Sequence, residues 1–203
     1  MQTKLSHSVI GVLMLSAAVL PAVGAPQVGQ QAPAFSEQDT KGKTWTHGDL
    51  AGKKVILEWT NHECPYVGKH YSTDNMQQLQ RDAVDQGYLW LSVISSAPGK
   101  QGHVSAAEAD ALTRKCGAAP TAVLIDEDGD MGRAYQARTT PHMYLLDEDG
   151  TLLYLGGIDS IRSSNPADVA KADNYVRLAM EDLAKDRPVS QAVTRPYGCS
   201  VKY

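Results

Sequence analysis

The stretch Trp59-Thr60-Asn61-His62-Glu63-Cys64-Pro65-Tyr66-Val67-Gly68-Lys69-His70-Tyr71 decides how this chain is read. Residues 54–60, with Val55, Ile56, Leu57 and Trp59, are rich in β-branched and aromatic side chains and predict a strand. Pro65 suits the first position of a helix, where its missing N–H costs nothing. Cys64 therefore falls at a strand-to-helix junction. Unpaired backbone donors and the positive end of a helix dipole stabilise a thiolate there, and such a setting brings a cysteine pKa down to roughly 3.5–7.5. The stretch predicts a redox-active cysteine.

Outward from it, the pattern alternates. Residues 35–46 predict a hairpin turning at Asp39-Thr40-Lys41-Gly42. After Cys64 the helix is expected to break near Ser72-Thr73-Asp74, where Asp74-Asn75-Met76-Gln77 resembles a capping box opening a second segment. Residues 89–94 and 121–126 predict strands, with a helix over 105–115 between them and a short helical piece over 131–138 after them. Residues 142–147 and 151–156 predict a hairpin across Glu148-Asp149-Gly150. An apolar stripe of Val169, Ala172, Val176, Ala179, Met180 and Leu183 predicts one last helix. This order is that of an α/β fold with a mixed sheet between helical layers. The tail over 187–203, with Pro188 and Pro196, reads as irregular.

The beginning of the chain bears on compartment. Lys4 precedes an apolar run over 9–23, and Val23-Gly24-Ala25 offers small residues for cleavage, so 1–25 reads as a signal peptide. The run is shorter than the ~20 residues a spanning helix needs. Residues 26–34 form a short leader, 35–186 one domain and 187–203 a tail. Export follows, with a Gram-negative periplasm as the destination that fits best. The 203 residues carry 19 Lys and Arg against 23 Asp and Glu, a formal charge of −4. Such a chain has no basic surplus for nucleic acid or an anionic membrane surface. Its three cysteines, Cys64, Cys116 and Cys199, are an odd number in an exported chain. That count favours redox chemistry over a structural disulfide framework.

Five blocks now bear on family: 58–71, Ser95-Ser96-Ala97-Pro98-Gly99-Lys100-Gln101-Gly102-His103, Arg138-Thr139-Thr140-Pro141-His142-Met143, Gly156-Gly157-Ile158-Asp159, and Tyr197-Gly198-Cys199-Ser200-Val201-Lys202-Tyr203. Through them the chain resembles the peroxiredoxin-like branch of the thioredoxin superfamily, the redoxin or AhpC/TSA type. The resemblance implies a thioredoxin-like fold, a central mixed β-sheet flanked by helices with an N-terminal β-hairpin, and an antioxidant or thiol-disulfide oxidoreductase that needs no cofactor. It implies a cis peptide at Thr140-Pro141, with Thr140 backbone and Pro141 beside the cysteine. The expected substrate is a peroxide or a protein disulfide, and the expected reductant is thioredoxin-type or another thiol. Two positions depart from the relatives. Asn61 stands three before Cys64, where peroxiredoxins carry Thr or Ser, and Val67 stands where thioredoxins carry the second cysteine of C-x-x-C.

The roles then divide as follows. Cys64 is the nucleophile, attacking an O–O bond or a partner's disulfide. Cys199 or Cys116 is the resolving thiol. Pro65, Tyr66, Thr140 and Pro141 line a substrate groove. His62 tunes the thiolate and Glu63 handles protons at the same mouth, or either is solvent-exposed with no role. Arg138 lies near the thiolate or on the open surface. The residues 95–103 form a wall or lid, or an ordinary connector. A different class, a copper-handling module, would use His62, Cys64 and His70 as ligands, and a third would be a docking domain without catalysis.

Overall fold

The structure, a computed structural model, describes residues 24–203. The expected signal peptide thus lies outside the described residues except for Gly24 and Ala25. No described helix is long and apolar enough to cross a membrane.

The chain forms β1 (Ser36–Asp39), β2 (Thr44–Thr46), β3 (Val55–Trp59), α1 (Pro65–Tyr71), α2 (Asn75–Asp85), β4 (Leu89–Ile94), α3 (Ala106–Lys115), β5 (Ala122–Ile125), α4 (Asp130–Ala134), β6 (Thr139–Thr140), β7 (His142–Leu146), β8 (Leu152–Gly156), α5 (Tyr175–Leu183) and β9 (Cys199–Ser200). Seven strands make one mixed sheet in the order β2-β1-β5-β4-β3-β7-β8, with β3, β4 and β5 parallel and the others antiparallel to their neighbours. The N-terminal hairpin β1–β2 turns where Asp39 accepts the backbone N–H groups of Lys41 and Lys43, an Asx-type turn.

The strand before Cys64 is central, and every residue of β3 is buried. Its alternation sorts side chains into two cores. Val55, Leu57 and Trp59 join Trp45, Leu91, Val93, Leu124, Tyr135 and Tyr144 on one face. Ile56 joins Met76, Leu79, Trp90, Met143, Leu145, Val176 and Met180 on the other. A strand buried on both sides reads as a continuous apolar run, as here, except for Glu58.

Three expectations need correction. The capping box at Asp74 does not form: Asp74 is left-handed at φ 57, has no cap bond and instead pairs with Arg81 at 2.8 Å. The last helix is not continuous, because Ala172 is extended and Asn174 begins α5 by accepting the Arg177 N–H; Val169 belongs to a separate 3-10 turn at Pro166–Lys171. The tail is not wholly irregular, since β9 pairs antiparallel with β6 and sets Thr139 opposite Ser200 and Thr140 opposite Cys199.

Candidate active site

Four segments converge on Cys64. β3 delivers the turn at 60–63, and Asn61 closes it by accepting the Glu63 N–H on its side chain and the Cys64 N–H on its carbonyl. Cys64 is the N-cap of α1, with Pro65 at the first helical position. The Thr140-Pro141 peptide is cis, and the Thr140 carbonyl accepts the Cys64 thiol proton at 3.1 Å. The tail supplies the fourth segment through β9, which puts Cys199 across from Thr140. Cys64 is only 1% exposed.

The electrostatics separate the two thiols. Burial opposes ionisation of Cys64, but donors outweigh it: the Cys199 thiol, Thr140, and the backbone N–H groups of Cys199 and Val67 hold the Cys64 thiol below the ordinary cysteine range. The Thr140 hydroxyl is buried and has no hydrogen-bond partner. Burial, and then the neighbouring Cys64, push the Cys199 thiol up. Cys64 is therefore the first of the pair to ionise, and Cys199 remains a proton donor beside it.

The other expected residues fall in different places. Tyr66 is half-buried and stacks edge-on against Tyr197 at 5.8 Å. His62 is exposed at the turn, 4.0 Å from Glu63, whose carboxylate accepts the Gly102 N–H at 3.0 Å. With Asn61 donating to the Gln101 carbonyl at 3.2 Å, this ties the loop before α3 to the Cys64 turn as a wall. Gly102 is required there, because at φ +83 a Cβ would fall on the Asn61 side chain. Arg138 is exposed, and its charge bears on the buried His142. Cys116 lies at the other end of α1: Gln77 donates to both the Tyr71 and the Cys116 carbonyls, at 2.8 and 2.7 Å, one length of α1 (~10 Å) from Cys64. There it helps line a cavity of about 440 Å³ with Val67, Gly68, Tyr71, Leu112 and Val123.

His62, Cys64 and His70 are not gathered as a ligand set. Among the described residues, three donors come within 4.8 Å of one another at Glu37, Asp126 and Asp128. His70 is fully buried, and burial, followed by Lys69, lowers its pKa to about 4, so the ring is neutral.

Two features were not assigned from sequence. Glu58, on β3 beneath the turn, is fully buried and accepts from Tyr71 Oη, Gln80 Nε2, Trp90 Nε1 and Ser92 Oγ at 2.9–3.2 Å; burial holds its carboxyl above the usual range. A lone acid in an apolar run was the available signal. Lys69 is also buried, and its Nζ meets Asp159 Oδ2 at 2.7 Å, the Ile161 carbonyl at 2.9 Å and Tyr197 Oη at 3.1 Å. None of the three partners is near it in sequence.

Known proteins share this arrangement of elements. The chain is 30% identical over 127 residues to the thioredoxin-like protein YneN of Bacillus subtilis, covering 62% of this chain and 69% of that one. An uncharacterized conserved protein from Geobacillus kaustophilus superposes with a TM-score of 0.74 at 23% identity, covering 87% of this chain and 92% of that one. A putative thiol:disulfide interchange protein DsbE from Chlorobium tepidum gives a TM-score of 0.51 at 21% identity, covering 64% of this chain and 85% of that one. These likenesses establish the thioredoxin-like fold, and since the family model of the AhpC/TSA family matches residues 28–155, the chain belongs to the AhpC/TSA family.

Proposed function

We propose that this chain is an exported thiol-dependent oxidoreductase whose redox pair is Cys64 and Cys199. One observation carries the reading: Cys64 Sγ and Cys199 share Thr140 as a backbone partner, the first through its carbonyl and the second through strand register. The second thiol, absent from position 67 of the turn, is supplied by the tail. Cys116 is then a bystander to the chemistry.

In disulfide exchange the Cys64 thiolate attacks one sulfur of a partner R–S–S–R′. That S–S bond breaks, a Cys64–S–S–R bond forms and R′–S⁻ leaves. Cys199, on losing its proton, attacks Cys64 Sγ and expels R–S⁻, closing Cys64–Cys199. Two electrons pass from the pair to the partner, and two protons end on the released thiols. A thioredoxin-type or other thiol reductant reverses the sequence on the oxidised pair. Thr140, the Val67 N–H and the Cys199 N–H stabilise the attacking thiolate, while Pro65, Pro141 and Tyr66 shape its surroundings.

The burial of Cys64 and the family membership favour a second oxidant, a peroxide, small enough to enter without displacing the tail. The thiolate then attacks one oxygen and the O–O bond breaks. The leaving hydroxide takes a proton and departs as water, and Cys64 becomes a sulfenic acid. Attack by Cys199 closes the same disulfide and releases a second water.

A Cys199→Ser variant separates the routes. Treated with oxidised glutathione, it should accumulate a mixed disulfide at Cys64; treated with hydrogen peroxide, it should yield a Cys64 sulfenate that dimedone traps. Cys64 left unmodified by both would end the reading. Export is supported by the 1–25 segment, and N-terminal sequencing of protein from the periplasm of an expressing Gram-negative cell should begin after Ala25.

A further inference from the structure

The tail is held at Cys64 by more than the two residues of β9. Tyr197, two positions before Cys199, inserts its ring beside Tyr66 and its hydroxyl into the interior below α1. That hydroxyl donates to Asp159 Oδ1 and receives from Lys69 Nζ at 3.1 Å. His70 Nε2 lies 3.4 Å away. Asn75 Nδ2 occupies the other nitrogen, Nδ1, at 2.8 Å, so the network assigns the ring proton to Nε2. The phenol thus uses its one donor and both acceptor positions. Lys69 and His70 belong to the helix that Cys64 caps.

We infer that Tyr197, with the buried Lys69–Asp159 pair on which it rests, positions Cys199 for Cys64 and thereby sets the redox equilibrium of the pair. The inference rests on the proposed Cys64–Cys199 chemistry. From Tyr197 to Cys199 the chain can span at most ~7 Å, so a fixed phenol leaves Cys199 little room. Gly198 completes the approach: at φ +142 a Cβ would fall on the Thr140 carbonyl, and the tail could not lie where β9 lies. A purely stabilising role explains less. A buried ion pair is often no better than apolar packing of the same volume, whereas a three-sided hydrogen-bonded anchor fixes direction. Released from it, the tail would present Cys199 at the millimolar effective concentration of a flexible linker.

The test uses the full chain carrying Cys116→Ser, equilibrated with defined ratios of reduced and oxidised glutathione, acid-quenched and read by mass. One protein dithiol and one oxidised glutathione exchange for one Cys64–Cys199 disulfide and two reduced glutathiones. Tyr197→Phe keeps the ring against Tyr66 and removes the hydroxyl. It should lower the equilibrium constant about tenfold or more, the effect of losing hydrogen bonds to charged groups, and should raise the alkylation rate of reduced Cys64 by iodoacetamide. Gly198→Ala leaves the buried cluster intact and should do both as well, which decides the matter should Tyr197→Phe not fold. Folded variants with the parent's equilibrium constant and alkylation rate would overturn the inference. If the parent protein itself forms no Cys64–Cys199 disulfide at any ratio, the proposed function fails instead.

Discussion

Replacing Lys69 by Met should be one of the most damaging single changes in this chain that touches neither cysteine. Met keeps the apolar stem and deletes the ammonium. Asp159, 3% exposed, then keeps the Tyr197 hydroxyl, the Ile161 N–H at 3.1 Å and, at 3.8 Å, the His70 ring nitrogen, with no cation on a hydrogen bond to it. An unpaired buried carboxylate costs about 3–5 kcal/mol, a large part of the ~5–15 kcal/mol that stabilises an ordinary domain. At about 2–4 °C per kcal/mol for a domain of this size, the melting temperature should fall by roughly 6–20 °C. Thermal unfolding followed by circular dichroism under reducing conditions reads this directly. If the cost comes from the stranded charge, Lys69→Met/Asp159→Asn should recover at least about 1 kcal/mol over the single variant. A single variant within about 1 kcal/mol of wild type, or a double variant no better than the single, would mean that Lys69 does not offset a stranded Asp159 charge.

Three further outcomes are expected. Because hydrogen bonds hold the folded Cys64 thiol below its ordinary value, its alkylation rate should be sustained as pH falls below the ordinary cysteine range of about 8.5 and drop only through the lower folded pKa; Cys199→Ala should move the midpoint upward. Glu37 is pushed up to about 7 by burial and then by Asp126, Asp128 and Asp130, so the folded chain holds a proton that the unfolded chain releases near pH 4.5. Stability should therefore be lost as pH rises from about 4.5 to 7, and Glu37→Gln should gain on the order of 1 kcal/mol at pH 8 but nothing at pH 4, measured by urea unfolding. Glu58→Leu strands four buried donors, Tyr71, Gln80, Trp90 and Ser92, and should cost roughly 3–5 kcal/mol in the same assay.

The parts of this molecule that local chemistry decides were legible from residues alone. The apolar run of β3, the proline after Cys64 and the Asp39 turn each point to one local structure, and tertiary packing agrees with all of them. Asp74 shows where local reading fails: a cap-like sequence was overridden by a left-handed turn between two helices, with Arg81 taking the carboxylate. Val169 and Ala172 kept the helical period without the helix, because Asn174 restarts the backbone just before Tyr175. The features that complete the site depend on long-range partners. A lysine reads as a surface residue, and nothing near Lys69 reveals that its partners are Asp159 and Tyr197, 90 and 128 positions away. Cys199 could be proposed as a partner from its motif, but its register opposite Thr140 is a property of the folded tail. Cys116, equally free in sequence, is separated from Cys64 by the length of α1.

Whether Cys64 and Cys199 form the working pair is read most directly from the disulfides the protein makes. Reduced full-length protein is given one equivalent of hydrogen peroxide or of oxidised glutathione, free thiols are alkylated in acid, and the disulfides are mapped by mass spectrometry. A single intramolecular Cys64–Cys199 bond with Cys116 alkylated is expected. A Cys64–Cys116 bond, or Cys199 recovered wholly alkylated while Cys64 is oxidised, would contradict it.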